Sequence, residues 1–202
     1  MRGLKDFMVY WIGYFFFHIF RLIWFPCRIT GLENLPKTGA FIFASNHASN
    51  LDPFLLGIIP RREVYFFAKK ELFRHPILGW LLKEWHAFPA DRSRADIGAL
   101  KKAIRYLRNG SPLVFFPEGT RAGSGRKQRV FSGIGFLVNK TNVPVVPAYI
   151  EGSDRCLPPG VRFPKRTWVT IRIGSPVSFP ETASHQLIAD SVVSQIQALK
   201  SL

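Results

Sequence analysis

The chain is poor in cysteine and in acidic side chains. It contains only two cysteines, Cys27 and Cys156, among 202 residues. They form no CxxC pair and no disulfide framework, so a reducing, cytosolic setting is the expectation. Only 13 Asp and Glu residues stand against 28 Lys and Arg residues, which gives a formal net charge of +15. Such a chain is expected to bind a polyanion: nucleic acid, an anionic membrane surface or a phosphorylated substrate.

The motifs that the sequence lacks narrow the choice among these polyanionic partners. The sequence has no GxSxG motif, no internal repeat, no low-complexity linker and no known nucleic-acid-binding motif. We therefore predict that nucleic acid is not a partner. The length of 202 residues and the apolar fraction of 47% suit one domain with a hydrophobic core.

The N-terminal stretch, residues 7–25, is strongly apolar and aromatic, and only His18 and Arg21 interrupt it. Its length matches a bilayer-spanning helix, but its aromatic residues and flanking cations favour an anchor that lies in the membrane interface. The alternative is a helix that is buried against the domain. No small-residue cleavage site is evident, so a signal peptide is not expected. We predict a membrane-associating segment over residues 1–28 and a folded domain over residues 29–202, which places the protein at the cytoplasmic face of the cell membrane, peripheral or monotopic.

The rest of the chain alternates between strand and helix patterns. Short apolar runs predict strands at residues 39–44, 63–68, 113–116, 143–150 and 168–173. Helical spacing predicts helices at residues 97–107, 134–140 and 187–199; Ser93 and Asp96 resemble a capping box before the first of them. Strands separated by helices indicate an α/β domain with a central, mostly parallel or mixed sheet flanked by helices.

The first polar cluster is NHASNLD, residues 46–52, which directly follows a predicted buried strand. The imidazole of His47 can take and return a proton near neutral pH. If a helix starts at Asp52, its carboxylate can hold one imidazole nitrogen and leave the other facing substrate. Because no GxSxG serine is present, the hydroxyl that His47 activates would belong to the substrate. Taken alone, a structural histidine is the more common explanation of such a pair.

Two further clusters contain arginine. In FPEGTR, Gly119 allows close backbone approach, Thr120 supplies a hydroxyl donor, and Arg121 can bind a phosphate in a bidentate manner. Glu118 can set the direction of the Arg121 guanidinium. The alternative for this cluster is a plain polar turn after a strand. In FPADR, Arg92 is a second candidate phosphate ligand, although most such Asp-Arg pairs are solvated surface charge.

Taken together, these clusters resemble the glycerolipid acyltransferases, especially the 1-acyl-glycerol-3-phosphate acyltransferases. NHASNLD is similar to the NHxxxxD box of that family, FPADR to its second motif, FPEGTR to its third, and VPVVP, residues 143–147, to its proline-containing fourth. The four motifs occur in the family's order. The likeness covers about residues 28–178, which is most of the chain.

The resemblance implies an acyltransferase catalytic domain and a division of roles. His47 would be the general base for the free hydroxyl of a lysophospholipid, and Asp52 would orient the imidazole. The acyl donor would be acyl-CoA or the acyl carrier protein thioester, with no cofactor and no metal. The implied pocket for the acceptor's phosphate consists of Arg92, Glu118, Gly119, Thr120 and Arg121, joined by Lys70. Within the class, another lysolipid such as lyso-ornithine lipid, or glycerol 3-phosphate, is an alternative acceptor; from a different class, a non-catalytic basic peripheral membrane or nucleic-acid-binding module remains.

The sequence departs from the family pattern at two places. His86 and Ala87 stand before the second motif, where the family has small or aliphatic residues. Phe131, Ser132 and Gly133 stand where the family often has a lysine pair before glycine. The first departure bears on acceptor preference, and the second removes cationic contacts to a phosphate or to the donor.

Overall fold

The computed structural model of the chain describes residues 4–91, 96–118, 132–158, 161 and 163–201. The fold is a seven-stranded mixed sheet with helices on both faces, which confirms the predicted α/β class. The strands are β1 (Cys27–Thr30), β2 (Ile42–Ser45), β3 (Tyr65–Lys69), β4 (Ala87–Ala90), β5 (Leu113–Phe115), β6 (Val145–Glu151) and β7 (Val169–Ile173). The helices are α1 (Leu4–Trp24), α2 (Asp52–Gly57), α3 (Pro76–Glu84), α4 (Ile97–Arg108), α5 (Gly133–Thr141), α6 (Ser153–Cys156) and α7 (His185–Ala198).

The sheet has the strand order β1-β7-β6-β2-β5-β3-β4. Strands β6, β2, β5, β3 and β4 run parallel to one another. Strand β7 is antiparallel to β6, and β1 is parallel to β7. The five parallel strands therefore finish at the same end of the sheet, which we call the carboxyl end; the opposite end is the amino end.

Each face of the sheet carries its own hydrophobic core because side chains alternate along a strand. Phe43 and Val114 lie on the face covered by α1, α2 and α3. Ala44 and Phe115 lie on the other face, which α4, α5 and α7 cover. The sheet thus separates α1 from α4, and this separation matters for what each helix can contact.

The local sequence determines where helix α4 begins and ends. The Asp96 carboxylate accepts a hydrogen bond from the Ala99 backbone amide at 2.9 Å, as a good N-cap residue does. Asp96 is thus the N-cap itself, whereas Ser93 lies outside the described residues. The helix gives way to a turn at Asn109 and Gly110, where Gly110 has a φ of 80° that suits glycine.

Helix α1 has two different sides. The side that faces the domain is buried, and the Tyr14 hydroxyl donates to the Ile58 carbonyl at 2.8 Å. The buried residues of the helix are Tyr10, Phe17 and Arg21, and Phe25, just after the helix, is also buried. The outward side is apolar and exposed, with Met8, Ile12, Phe15, Phe16, Ile19, Leu22, Ile23 and Trp24. Packing on the domain, which the sequence left as the alternative to an interfacial helix, therefore accounts for one side only. Among the described helices, none combines the length and the apolar character needed to cross a bilayer.

Four elements were not predicted from the sequence: β1, α3, β4 and the short helix α6. Strand β4 contains Pro89, a residue that usually argues against a strand. It is tolerated because β4 is the last strand of the sheet and pairs only with β3. The second sequence motif, FPADR, therefore begins within a strand rather than a loop.

Candidate active site

The NHASNLD motif forms a tight turn between β2 and α2. Asp52 is the first residue of α2, and its Oδ2 atom accepts three hydrogen bonds: from Nδ1 of His47 at 2.9 Å and from the backbone amides of Ala48 and Ser49, both at 2.7 Å. His47 and Asp52 are buried, at 3% and 0% exposure. Because a carboxylate only accepts, Nδ1 of His47 carries the proton, and Nε2 is the basic nitrogen.

Two residues of the motifs hold this turn in place although the sequence assigned no role to either. The Asn46 side chain donates to the Ile150 carbonyl at 2.8 Å and accepts from the Ile150 amide at 2.7 Å, which fixes the turn to β6. The Phe116 ring stacks on the His47 imidazole with 4.2 Å between ring centroids. The signal available in the sequence was their position, since Asn46 opens the cluster that follows a predicted buried strand and Phe116 is the last residue of another predicted strand.

Glu118 lies beside His47 because β5 pairs in parallel with β2. Its side chain is buried, and burial raises the pKa of the carboxyl group above its usual range. The backbone N–H of His47 donates to this carboxylate and opposes part of the rise. The first and third motifs, which are about 70 residues apart in the sequence, thus meet at the carboxyl end of the sheet, as the carboxyl ends of neighbouring parallel strands do.

Lys70 also lies at the carboxyl end, in the turn that follows β3. Its ammonium group contacts Asp91 Oδ2 at 2.6 Å, which links the ends of β3 and β4. Two strand spacings separate β3 from β2, or about 10 Å. Lys70 is therefore at the same end of the sheet as His47, but the carboxylate of Asp91 partly neutralises its charge.

The remaining predicted phosphate ligands, Arg92, Gly119, Thr120 and Arg121, lie outside the described residues, so their roles stay predictions. Within the described ranges, no group of three His, Cys, Asp or Glu side chains is placed to hold a metal ion. Transfer without a metal likewise stays a prediction from the sequence.

His86, one of the two departures from the family pattern, lies at the amino end of the sheet just before β4. It is buried, and Nε2 contacts Glu63 Oε2 at 3.3 Å. The rings of Tyr10 and Tyr65 both lie 4.5 Å from its ring, between centroids. His86 therefore packs against α1 at the end of the sheet opposite to His47.

The arrangement at His47 can remove a proton from a bound hydroxyl group. The imidazole has a fixed orientation, a buried carboxylate on one nitrogen and a basic second nitrogen, which are the elements of general base catalysis. Ser49, a hydroxyl in the same motif, is engaged with the Leu157 carbonyl at 3.4 Å. The hydroxyl that reacts is therefore best supplied by a substrate.

Several known proteins are similar to the chain. Residues 26–151 match the family model described as Acyltransferase. The 1-acyl-sn-glycerol-3-phosphate acyltransferase of Bacillus subtilis is 29% identical over 179 residues, which are 87% of each chain. The chloroplast 1-acyl-sn-glycerol-3-phosphate acyltransferase BAT2 of Brassica napus is 34% identical over 65% of this chain, and the chain spans only 39% of that relative's length.

A solved structure is also similar. The 1-acyl-sn-glycerophosphate (LPA) acyltransferase PlsC from Thermotoga maritima superimposes with a TM-score of 0.80 at 27% identity, over 100% of this chain and 83% of that one. The likeness includes the mixed sheet and the helices on both of its faces.

Proposed function

Since the chain belongs to the acyltransferase family, we propose that it transfers a fatty acyl group from a thioester to the free hydroxyl of 1-acyl-glycerol 3-phosphate, giving phosphatidic acid. The observation that carries the proposal is the buried His47–Asp52 pair at the carboxyl end of the sheet, 2.9 Å apart. The relatives named 1-acyl-sn-glycerol-3-phosphate acyltransferase support the choice of acceptor.

The proposed reaction is a direct transfer. Nε2 of His47 takes the proton of the acceptor hydroxyl. At the same time the hydroxyl oxygen forms a bond to the carbonyl carbon of the thioester. Asp52 stabilises the resulting imidazolium through Nδ1. The tetrahedral intermediate then expels the thiolate as the carbon–sulfur bond breaks, and the imidazolium returns the proton to sulfur. The products are an ester and a free thiol, and the enzyme is regenerated without an acyl-enzyme.

For the acceptor's phosphate we propose a pocket in the third motif; of the pocket residues predicted there, Glu118 is the one that the structure describes. Its place beside His47 supports a pocket in which the phosphate is held close to the reacting hydroxyl. Arg121→Ala is expected to raise the KM for the acceptor by roughly ten- to a hundredfold, the effect of one lost charged hydrogen bond. The KM for the donor should change little. Equal effects on both constants would remove Arg121 from the phosphate pocket.

The function is tested by an acyl-transfer assay of the purified protein with both acyl-CoA and acyl carrier protein thioesters. The acceptor panel contains lysophosphatidate, lyso-ornithine lipid and glycerol 3-phosphate. We expect the highest kcat/KM with lysophosphatidate. A preference for another acceptor would correct the substrate, and transfer to none of them would refute the function.

We also propose that the outward side of α1 rests on the membrane, peripherally and at the cytoplasmic face. Phe15 and Phe16 are exposed by 65% and 67%, an arrangement that favours burial in the interface between headgroups and acyl chains. Helix α3 touches α1 and exposes a second apolar group: Ile77, Leu78, Trp80 and Leu81. Both the acceptor and the product are lipids, so a site held at the interface meets them directly.

The membrane proposal is tested by cosedimentation with vesicles of phosphatidylcholine and phosphatidylglycerol. High salt alone should not release the protein, because apolar contacts are not screened. The triple variant Phe15→Gln, Phe16→Gln, Ile19→Gln should move much of it to the supernatant. Leu187→Gln, which changes an exposed apolar residue of α7, is the control and should leave binding unchanged. Full binding of the triple variant would place the anchor elsewhere, with α3 as the next segment to substitute.

A further inference from the structure

Helix α4 carries a concentration of positive charge on its outward side. Its sequence, IGALKKAIRYLR, contains no acidic residue. The exposed cations are Lys101, Lys102, Arg105 and Arg108. Among the described residues, none of these four takes part in an ion pair. Arg108 donates to the Lys140 carbonyl at 3.2 Å and Arg105 lies 5.5 Å from the Tyr106 ring centroid; neither contact supplies a negative charge, so the positive charge of the four side chains is available to an acidic partner.

This basic side of α4 also has an apolar centre. A shallow open groove is lined by Lys101, Ile104, Arg105, Arg108 and Asn109, and Ile104 is only partly buried. An apolar contact framed by charged residues is the usual composition of a protein-binding patch. A hydrated polyanion needs the cations alone, so the groove favours a folded, acidic protein as the partner.

The position of α4 argues against the lipid surface as the occupant. Helices α1 and α3 pack on one face of the sheet, and α4 packs on the other. When the outward side of α1 rests on the membrane, the basic side of α4 faces water. The attraction between anionic lipids and the cations of the chain is screened by salt beyond roughly one Debye length, about 8 Å.

Helix α4 begins close to the candidate active site. The Asp96 carboxylate, which caps α4, also accepts a hydrogen bond from the backbone amide of Asp91 at 2.9 Å, directly after β4. The helix therefore starts at the carboxyl end of the sheet, where His47 lies. With a rise of 1.5 Å per residue, Lys101 is about 6 Å and Arg108 about 17 Å from Ile97 along the helix axis. A protein on this helix is thus beside the end of the sheet at which acyl transfer is proposed.

We propose that the basic side of α4 docks an acidic carrier protein that delivers the acyl thioester. This inference rests on the proposed function, whose donor is either a small coenzyme or a carrier protein. Complementary charge mainly raises the rate of encounter and fixes orientation. The carrier protein would be held on the water-facing side while its thioester reaches the carboxyl end of the sheet, and the lipid acceptor arrives from the other side. The coenzyme thioester does not need this surface.

The test compares kcat/KM for acyl carrier protein thioester and for acyl-CoA in three proteins. The first is the wild type, and the second is the double variant Lys101→Glu, Arg105→Glu. The third is the control Lys37→Glu, Lys200→Glu, which alters two exposed lysines outside α4 and changes the net charge by the same amount. We expect the α4 variant to lose roughly tenfold or more in kcat/KM with the carrier protein at low ionic strength. Both variants should retain wild-type kcat/KM with acyl-CoA, which also verifies that they are folded.

Several outcomes would overturn the inference. An equal loss with both donors from a folded α4 variant would assign these cations to the coenzyme's phosphates or to the acceptor. An equal loss in the control would show an effect of net charge alone. Reduced binding of the α4 variant to phosphatidylglycerol vesicles would place α4 at the membrane. A wild type that accepts acyl-CoA but not the carrier protein thioester would refute the docking site and leave the proposed function standing. If the charge reversal prevents folding, Lys101→Gln, Arg105→Gln decides the same comparison.

Discussion

Two buried histidines, each paired with a carboxylate, lie at opposite ends of the same sheet. At the carboxyl end, His47 Nδ1 is 2.9 Å from Asp52 Oδ2. At the amino end, His86 Nε2 is 3.3 Å from Glu63 Oε2. Both pairs join an imidazole to a carboxylate, so what distinguishes their chemistry must lie mainly in their surroundings.

The surroundings give the pairs different uses. Asp52 is fully buried and held by two backbone amides, and it binds Nδ1 of His47 so that Nε2 can serve as the base. Glu63 is 35% exposed, and the His86 ring sits against Tyr10 of α1 and Tyr65 of β3. The first pair has the arrangement that proton transfer requires, whereas the second pair packs α1 against the domain. The comparison teaches that a buried histidine–carboxylate contact does not by itself identify a catalytic site.

The largest expected effect is on catalysis at His47. His47→Ala should lower kcat by at least about three orders of magnitude, because the base is lost, and Asp52→Asn should also cost orders of magnitude because the imidazole loses its orientation. Single-turnover acyl transfer measures both. Thermal unfolding must show that His47→Ala is folded at the assay temperature, since this substitution also removes a buried ring; near-normal turnover by this variant would end the proposed mechanism.

The matching substitution at the other end should act on stability instead. His86→Ala is expected to lower the free energy of unfolding by about 2–3 kcal/mol, since it removes a buried ring and leaves a cavity beside α1. The kcat of the folded fraction should remain within about twofold of wild type, as expected for a residue outside the reaction site. Urea denaturation and the transfer assay give the two values.

His86→Gly is the control for this prediction. The residue has a φ of 61°, a conformation that costs non-glycine residues roughly 1 kcal/mol. Glycine removes the same ring but relieves the backbone, so it should be more stable than the alanine variant. A large loss of kcat in both variants, with stability preserved, would make the second pair part of the reaction and break the comparison.

Substitution of Asn46 tests whether the His47–Asp52 pair depends on the hydrogen bonds that hold its turn to β6. Asn46→Ala leaves the buried amide and carbonyl of Ile150 without their partner, which should cost about 2 kcal/mol of stability. Because the substitution loosens the turn that positions His47, kcat should fall while the KM for the donor stays nearly constant. Ser49→Ala, which removes only weak 3.4 Å contacts, is the control. A pure change in KM would show that Asn46 contacts substrate.

The smallest expected effect concerns Asp96, which caps α4. Unlike those of Asp52 and Glu63, its carboxylate is not paired with a histidine. Asp96→Ala should destabilise the protein by about 1 kcal/mol, a shift in Tm of about 2–4 °C for a chain of this length. Hydrogen bonds from the backbone amides of Asp91 and Ala99 hold the pKa of Asp96 below its usual value. The ionised form thus stabilises the fold above the unfolded pKa, and this contribution is lost as the pH falls through the folded pKa.

The difference in Tm between wild type and Asp96→Ala should therefore shrink below a pH of about 4, near the ordinary pKa of aspartate. Asp96→Asn, which retains a capping oxygen, should lose less stability at neutral pH. A difference that stayed constant with pH would show that the carboxylate's charge does not contribute.

Local sequence predicted the fold class and the His47–Asp52 contact because both depend on short separations. The two residues are five positions apart, and the start of α2 at Asp52 brings them together. The contact of His86 with Glu63 joins residues 23 positions apart, and that of Asn46 with Ile150 spans 104 positions. Contacts of this kind depend on strand order, which no local pattern contains. Strand β4 was missed because Pro89 argues against a strand unless its place at the last position of the sheet is known.

The course of α1 across the domain sets how the enzyme would lie on a bilayer. Tyr10 contacts the Arg62 carbonyl near the amino end of the sheet, and Pro26, just after the helix, accepts from the amide of Val169 at the carboxyl end. The helix thus runs alongside the strands. With its outer side among the headgroups, the strands would lie nearly flat along the membrane plane, and the site would open sideways at a fixed depth. A lysolipid would then reach His47 from the side of the domain, at the carboxyl end of the sheet, rather than from beneath α1.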